Sequence, residues 1–203
     1  VKTTKFDKAK YIGDPINAVK IFNEKCVDEL IVLDIDATVK GMNPNLSIIK
    51  SLATECRMPL CYGGGVTTTK QICDIIELGV EKVSLSTAVI KDPQIINRAA
   101  SLVGSQSIVI TLDVRKIKKE YFTFIENGKK NTKINVIDLI KSCQELGAGE
   151  IVINSIDNDG IMNGYNLALI QKIKDILKIP FTVIGGAGTI NDIGKLFKPF
   201  GLI

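Results

Sequence analysis

The stretch ELIVLDIDATVKGMNPNLSIIKSLATECRMPLCYGGG, from Glu29 to Gly65, decides the fold, because the chain writes it again 121 residues later, from Glu150 to Gly186. Glu29 falls on Glu150, Asp36 on Asp157, Asn45-Leu46 on Asn166-Leu167, Pro59 on Pro180 and Gly64-Gly65 on Gly185-Gly186, without a gap. The register holds outward: Ile16, Lys20 and Glu24 fall on Ile137, Lys141 and Glu145, and Thr68 and Ile72 on Thr189 and Ile193. The copies therefore span residues 16–73 and 137–194. A repeat of this size, each copy holding strand, loop, helix and strand, means two similar half-domains and not a solenoid of short units.

Each copy opens on a continuous apolar run, Leu30-Ile-Val-Leu33 or Ile151-Val-Ile153, which reads as a strand covered on both faces. Strands alternating with helices predict an α/β fold with a parallel sheet of βαβ units. In chain order, Asp14-Pro15 starts a helix, Glu29 to Asp36 is a strand, and Asn45 to Cys56 is a helix leading to the strand Pro59 to Tyr62. Thr67 to Thr69 cap a helix over Lys70 to Leu78, Lys82 to Leu85 is a strand, and Asp92-Pro93 starts another helix. Ser107 to Leu112 is a β-prone run with Asp113 at its carboxyl end, followed by a hairpin around Asn127-Gly128. Six strand ends result, near Asp36, Gly63, Ser86, Asp113, Asp157 and Gly185. Symmetry asks for one strand before Val1 and for a last strand beginning at Gly201-Leu202-Ile203. The prediction is one (β/α)8 TIM-barrel domain over 1–203 built from two half-barrels, lacking the first strand and most of the last βα unit; ~250 residues is usual for the whole fold.

With 203 residues, 45% of them apolar, the chain can bury one full core. A net charge of +4 spread over many lysines suits an anionic small molecule and gives little support to nucleic acid. Five cysteines without paired metal spacing read as buried thiols of a cytoplasmic protein, and no metal or cofactor is expected. No run of 18 apolar residues is present, so membrane spanning is not expected. There is no histidine, which excludes Ser-His triads and imidazole acid-base chemistry. Carboxylates are left to move protons.

A (β/α)8 barrel carries its active site at the carboxyl ends of its strands. There Gly63-Gly64-Gly65 lets backbone amides and a helix dipole approach a phosphate, with Ser86 and Thr87 on the neighbouring strand end sharing the anion. Gly185, Gly186 and Gly188 repeat the device, so the substrate is expected to carry two phosphates. The duller reading of each is a tight turn that needs positive φ. Asp113 is the candidate general acid/base. Asp34, Asp36, Asp157 and Asp159 add carboxylates on the same rim, with Asp159-Gly160 functional and Asp36 and Asp157 mostly turn residues. At the other strand ends, Glu29, Lys82 and Glu150 are either structural charges or a ring around the lower mouth.

Taken with these residues, Pro59-Leu-Cys-Tyr-Gly-Gly-Gly65, Gly128-Lys-Lys-Asn-Thr132, Ser155-Ile-Asp-Asn-Asp-Gly160 and Gly185-Gly-Ala-Gly188 resemble the cyclase subunit of imidazole glycerol phosphate synthase, the HisF family. The resemblance covers nearly the whole chain. It implies ammonia-dependent conversion of a bis-phosphorylated ribulosyl aminoimidazole intermediate into imidazole glycerol phosphate and an aminoimidazole carboxamide nucleotide. It implies two catalytic aspartates, one matching Asp113 and the other on the first strand, and a flexible loop lysine matching Lys2. Asp159 matches the family's rim aspartate. Ammonia comes from a HisH-like glutaminase partner in a heterodimer and passes a charged gate to which Glu29, Lys82 and Glu150 correspond. Two departures sit at the substrate rim: Asp36 where the family has Thr, and Ile161 where it has Thr after Asp-Gly. Both are similar to a paralogous branch in which the barrel relays ammonia to a sugar amidotransferase of lipopolysaccharide or surface-polysaccharide synthesis.

Overall fold

A computed structural model describes residues 1–200; the expected last strand at Gly201-Leu202-Ile203 lies outside the described residues. The chain divides into two compact units, one of Ile12–Ile110 with Leu146–Gly149, the other of Val1–Tyr11, Thr111–Glu145 and Glu150–Ile203.

The first unit contains α1 (Pro15–Glu24), β3 (Leu30–Leu33), α2 (Leu46–Glu55), β4 (Leu60–Gly63), α3 (Thr69–Glu77), β5 (Lys82–Leu85), α4 (Thr87–Lys91), α5 (Ile95–Val103) and the start of β6 (Ile108–Ile117); the hairpin β1 (Lys2–Thr4) and β2 (Asp7–Lys10) belongs to the other unit. Its strands are parallel neighbours in the order β3-β4-β5-β6, with Leu30 opposite Leu60, Tyr62 opposite Val83 and Ser84 opposite Val109. Helix starts follow the local chemistry. Asp14 Oδ1 accepts from the amides of Ile16 at 2.9 Å and Asn17 at 3.2 Å, with Pro15 at the first helical position. At α3, Thr68 and Gln71 cap one another's backbone reciprocally. Ile49 and Leu52 of α2 and Ile72 and Ile75 of α3 are fully buried.

In the second unit β7 (Glu120–Ile125) and β8 (Lys130–Asn135) form a hairpin, followed by α6 (Val136–Glu145), β9 (Glu150–Ser155), α7 (Leu167–Ile173), β10 (Phe181–Ile184) and α8 (Ile190–Phe197). β10, β9 and β6 are sheet neighbours, and β9 and β10 run parallel with Ile151 opposite Phe181. This is the expected α/β architecture of βα units.

Several expectations are corrected. The strand ending in Asp113 continues to Ile117, because β7 folds back antiparallel and pairs with Asp113 through Ile117; Asp113 is therefore an internal residue of the strand. Asp92-Pro93 lies in the turn between α4 and α5, and α5 itself begins at Ile95. The Asp92 amide donates to Ala88 O and closes the short α4, while its carbonyl and that of Pro93 receive Ile95 N and Ile96 N at the start of α5. The residues before Asp14, given no element in the sequence reading, carry the β1–β2 hairpin, which turns through left-handed Lys5 and Phe6. Of the five cysteines only Cys61 and Cys143 are buried, and Cys26 is exposed.

The repeat partners Ile72 and Ile193 differ in burial, 0% against 42% exposed. Ile72→Ala is expected to cost about 2–5 kcal/mol and Ile193→Ala about 1 kcal/mol or less, read from urea unfolding of this chain. Equal costs would contradict the packing described.

Candidate active site

Asp113 is half-buried by exposed area, yet protein packs closely about its carboxyl. Its Oδ1 accepts a hydrogen bond from Asn154 Nδ2 at 3.0 Å. Desolvation pushes its pKa up to about 7, the Asn154 hydrogen bond opposes that rise, and the negative charge of Asp159 adds to it. A carboxyl that changes protonation near neutrality suits proton transfer.

Asp159 anchors the N-terminal hairpin. Its Oδ2 accepts from Thr3 Oγ1 at 2.6 Å and from Phe6 N at 3.2 Å, and its carbonyl accepts from Lys5 N at 2.9 Å. Gly160 (φ 67°) lies so close to the hairpin that a Cβ there would meet Thr3 O at 1.9 Å. Lys2 is exposed, with its Nζ 3.9 Å from Met162 Sδ. Lys2, Asp159 and Gly160 are thus brought together. Asp157 accepts from Lys116 N at 3.1 Å and lies 3.4 Å from Arg115 Nε, so its carboxylate is engaged by β6.

The second glycine turn is in the same unit. A Cβ on Gly185 (φ 92°) would stand 2.8 Å from Ser155 O, one on Gly186 (φ 108°) 2.2 Å from Gly164 O, and one on Gly188 2.2 Å from Met162 O. The glycines are required by backbone approach alone. Two of the amides here are already engaged, Thr189 N at 2.9 Å and Gly188 N at 3.3 Å from the Asp192 carboxylate. Hydrogen bonds from Thr189 hold Asp192 below the usual carboxylate range.

In the other unit Gly64 (φ 114°) and Gly65 (φ 70°) make the matching turn, where a Cβ would meet Asp34 O at 2.3 Å and Met42 O at 2.7 Å. Gly65 N donates to Thr38 Oγ1 at 3.3 Å, and Gln71 Oε1 receives the amides of Thr67 at 2.8 Å and Thr68 at 3.1 Å. Asp34 Oδ1 accepts from the amides of Asp36 and Ala37, both at 3.0 Å, and so shapes the loop. Asp36 pairs with Lys40 at 2.7 Å, in keeping with a turn residue. Ser86 and Thr87 stand half-buried at the start of α4. Burial, then the charge of Asp34, pushes the Tyr62 hydroxyl up to about 12.

At the amino ends of the strands, Lys82 Nζ lies 2.9 Å from the Glu29 carboxylate in the first unit. In the second, Glu150 Oε1 accepts from Thr182 Oγ1 at 2.7 Å. Among the described residues no cluster of three or more metal-ligating side chains occurs, and no helix is long and apolar enough to cross a membrane.

Sequence reasoning missed Thr3, Gln71, Asp192 and Asn154. Asn154 left one trace: it is the polar residue that interrupts Ile151-Val-Ile153 before Ser155.

The sequence profile of a family described as histidine biosynthesis protein matches residues 1–200. A Vibrio vulnificus (strain YJ016) protein, provisionally named imidazole glycerol phosphate synthase subunit hisF3, is 53% identical over 205 residues, covering 100% of this chain and 79% of the relative. A Pseudomonas aeruginosa protein provisionally named imidazole glycerol phosphate synthase subunit hisF2 is 47% identical over 199 residues, 98% of this chain and 79% of the relative. The imidazole glycerol phosphate synthase subunit HisF of Natranaerobius thermophilus is 36% identical over 197 residues, 97% of this chain and 78% of the relative.

Because the folded pKa of Asp113 lies above its ordinary value of 3.8, the stability it contributes is present in full below about pH 4 and is lost as pH rises through about 7. Asp113→Asn, uncharged throughout, is expected to gain on the wild type between pH 4 and pH 8 by on the order of 1–3 kcal/mol, reduced for partial exposure. Thermal unfolding at the two pH values checks this, and a constant difference would rule out the raised pKa.

Proposed function

This chain belongs to the histidine biosynthesis protein family, and from that footing we propose that it is the cyclase subunit of imidazole glycerol phosphate synthase, a lyase of the glutamine amidotransferase type. Its fold class is the α/β (β/α)8 barrel of that family. The observation that carries the reading is the Asp113 carboxyl, held near neutrality beside Asn154 in the strand next to the Gly185-Gly186 turn. Ammonia and a bis-phosphorylated ribulosyl aminoimidazole intermediate are the substrates. Asp113 moves a proton during ring closure and cleavage.

Substrate positioning falls to the two glycine turns, with Gly64, Gly65, Ser86 and Thr87 taking one phosphate and Gly185, Gly186 and Gly188 the other. Their positive φ values and close backbone neighbours require glycine, and a glycine backbone suits anion capture by amides. Asp34 supports the first turn. Lys2, beside Asp159 and Gly160, offers a cation to the substrate. The half-barrel repeat over 16–73 and 137–194 is the source of the paired turns.

A glutaminase subunit supplies the ammonia as the other half of a heterodimer, and Glu29, Lys82 and Glu150 gate its entry. The half-buried Lys82–Glu29 pair supports a gate that opens by exchanging ion pairs.

One observation favours a second reading, an ammonia-relaying partner of a sugar amidotransferase. The Asp192 carboxylate already takes the amides of Gly188 and Thr189, and a second phosphate arriving there meets its charge. The Asp36–Lys40 pair and the exposed Ile161 likewise change the rim.

With ammonium salt and the bis-phosphorylated intermediate, turnover is expected, and Asp113→Asn is expected to lower kcat by about 10²-fold or more. Normal turnover by that variant would remove the carboxylate mechanism. Absence of turnover by the wild type in complex with its glutaminase would favour the relay. Lys82→Met is expected to lower glutamine-dependent turnover severalfold while ammonium-dependent turnover holds; equal losses would exclude a gate.

A further inference from the structure

Asn154 is a primary amide inside an apolar strand, only 7% exposed and preceded by the fully buried Ile151, Val152 and Ile153. Burying such a group is costly unless its polar atoms are paired. Its Nδ2 donates to Asp113 Oδ1 at 3.0 Å. Its Oδ1 faces the glycine turn, 3.3 Å from the point where a Cβ on Gly185 would stand. The amide is thus wedged between the carboxyl and the turn, nitrogen toward one and oxygen toward the other. A reversed amide would set oxygen against oxygen whenever Asp113 is ionised. Asp113 Oδ2, by contrast, makes no hydrogen bond among the described residues.

We propose that Asn154 is a positioning residue that keeps Oδ1 of Asp113 in use as an acceptor and so assigns the carboxyl's exchangeable proton to Oδ2. The inference rests on the reading of Asp113 as the proton-transferring group. In a protonated carboxyl the carbonyl oxygen is the stronger acceptor and the hydroxyl oxygen the weaker, so an N–H held on Oδ1 favours placing the exchangeable proton on Oδ2. The same donor favours the ionised form and offsets part of the desolvation around the carboxyl. Among the described residues, Asn154 is the side-chain hydrogen-bond donor to Asp113 that has this effect. β7 sets Phe124 opposite Asp113, and the Gly185-Gly186-Ala187-Gly188 turn holds no ionisable side chain. Arg115, two residues further along the strand, pairs with Asp157. Asp159 is the charged group acting on the carboxyl, and it raises the proton affinity.

The test is a ¹³C NMR titration of the Asp113 carboxyl in the ligand-free chain. Asn154→Leu, equal in shape but without a donor, is expected to raise the midpoint by about one pH unit, the scale of one charge-assisted hydrogen bond. Asn154→Gln, which keeps an amide, is expected to recover at least part of that shift. In ammonium-dependent turnover, the limb of the kcat profile that belongs to Asp113 should move upward with the titration while KM changes less than about twofold. An unchanged midpoint in Asn154→Leu overturns the proposal. Should Asn154→Leu fail to fold, Asn154→Ser, whose hydroxyl is too short to reach Oδ1, gives the same decision. Asp113→Asn separates the two levels: full activity in that variant sinks the acid/base role, while the NMR shift still decides whether Asn154 controls the carboxyl.

Discussion

The structure depends on one constraint: its inner parallel strands, β4 and β9 above all, are apolar and covered, so their interiors have almost no room for polar side chains. β4 is buried at every position and β9 from Glu150 through Ser155. In such strands the polar chemistry is pushed to the ends, where loops can satisfy it. The amino ends receive Glu29, Lys82 and Glu150; the carboxyl ends receive the acid loops and the glycine turns. The few polar side chains inside the strands are there at a cost, and Asn154 meets that cost by engaging Asp113.

Much of this was legible in the sequence. The repeat at a constant offset identified the βα units, because a parallel strand covered on both faces must be continuously apolar and a helix start must be capped. Asp14, Asn45 and Thr68 all cap as their positions suggested. The glycine turns of the candidate site were legible because their geometry is local, as at Gly64 and Gly186, whose positive φ and close backbone neighbours no other residue type would suit.

What was not legible lay in contacts far apart in the chain. Nothing around Asp113 announces that its strand runs on to Ile117, since the partner that extends it is the later β7. The Thr3–Asp159 contact joins residues 156 positions apart. Asn154 is an ordinary strand residue until β6 lies beside it. The caps Gln71 and Asp192 follow a local rule, and their reach back to the turn amides was within sight of it.

The attachment of the amino-terminal hairpin has an experimental consequence. Asp159 is at once the acid nearest in effect to Asp113 and the peg on which Thr3, Lys5 and Phe6 hang. Any replacement of it changes two things together, the electric field at the reacting carboxyl and the seating of a segment that passes through left-handed residues. The field follows charge and ionic strength; the seating follows the hydroxyl of Thr3. Pairing Asp159→Asn with Thr3→Val in a thermodynamic cycle divides the mixed response into its electrical and mechanical parts.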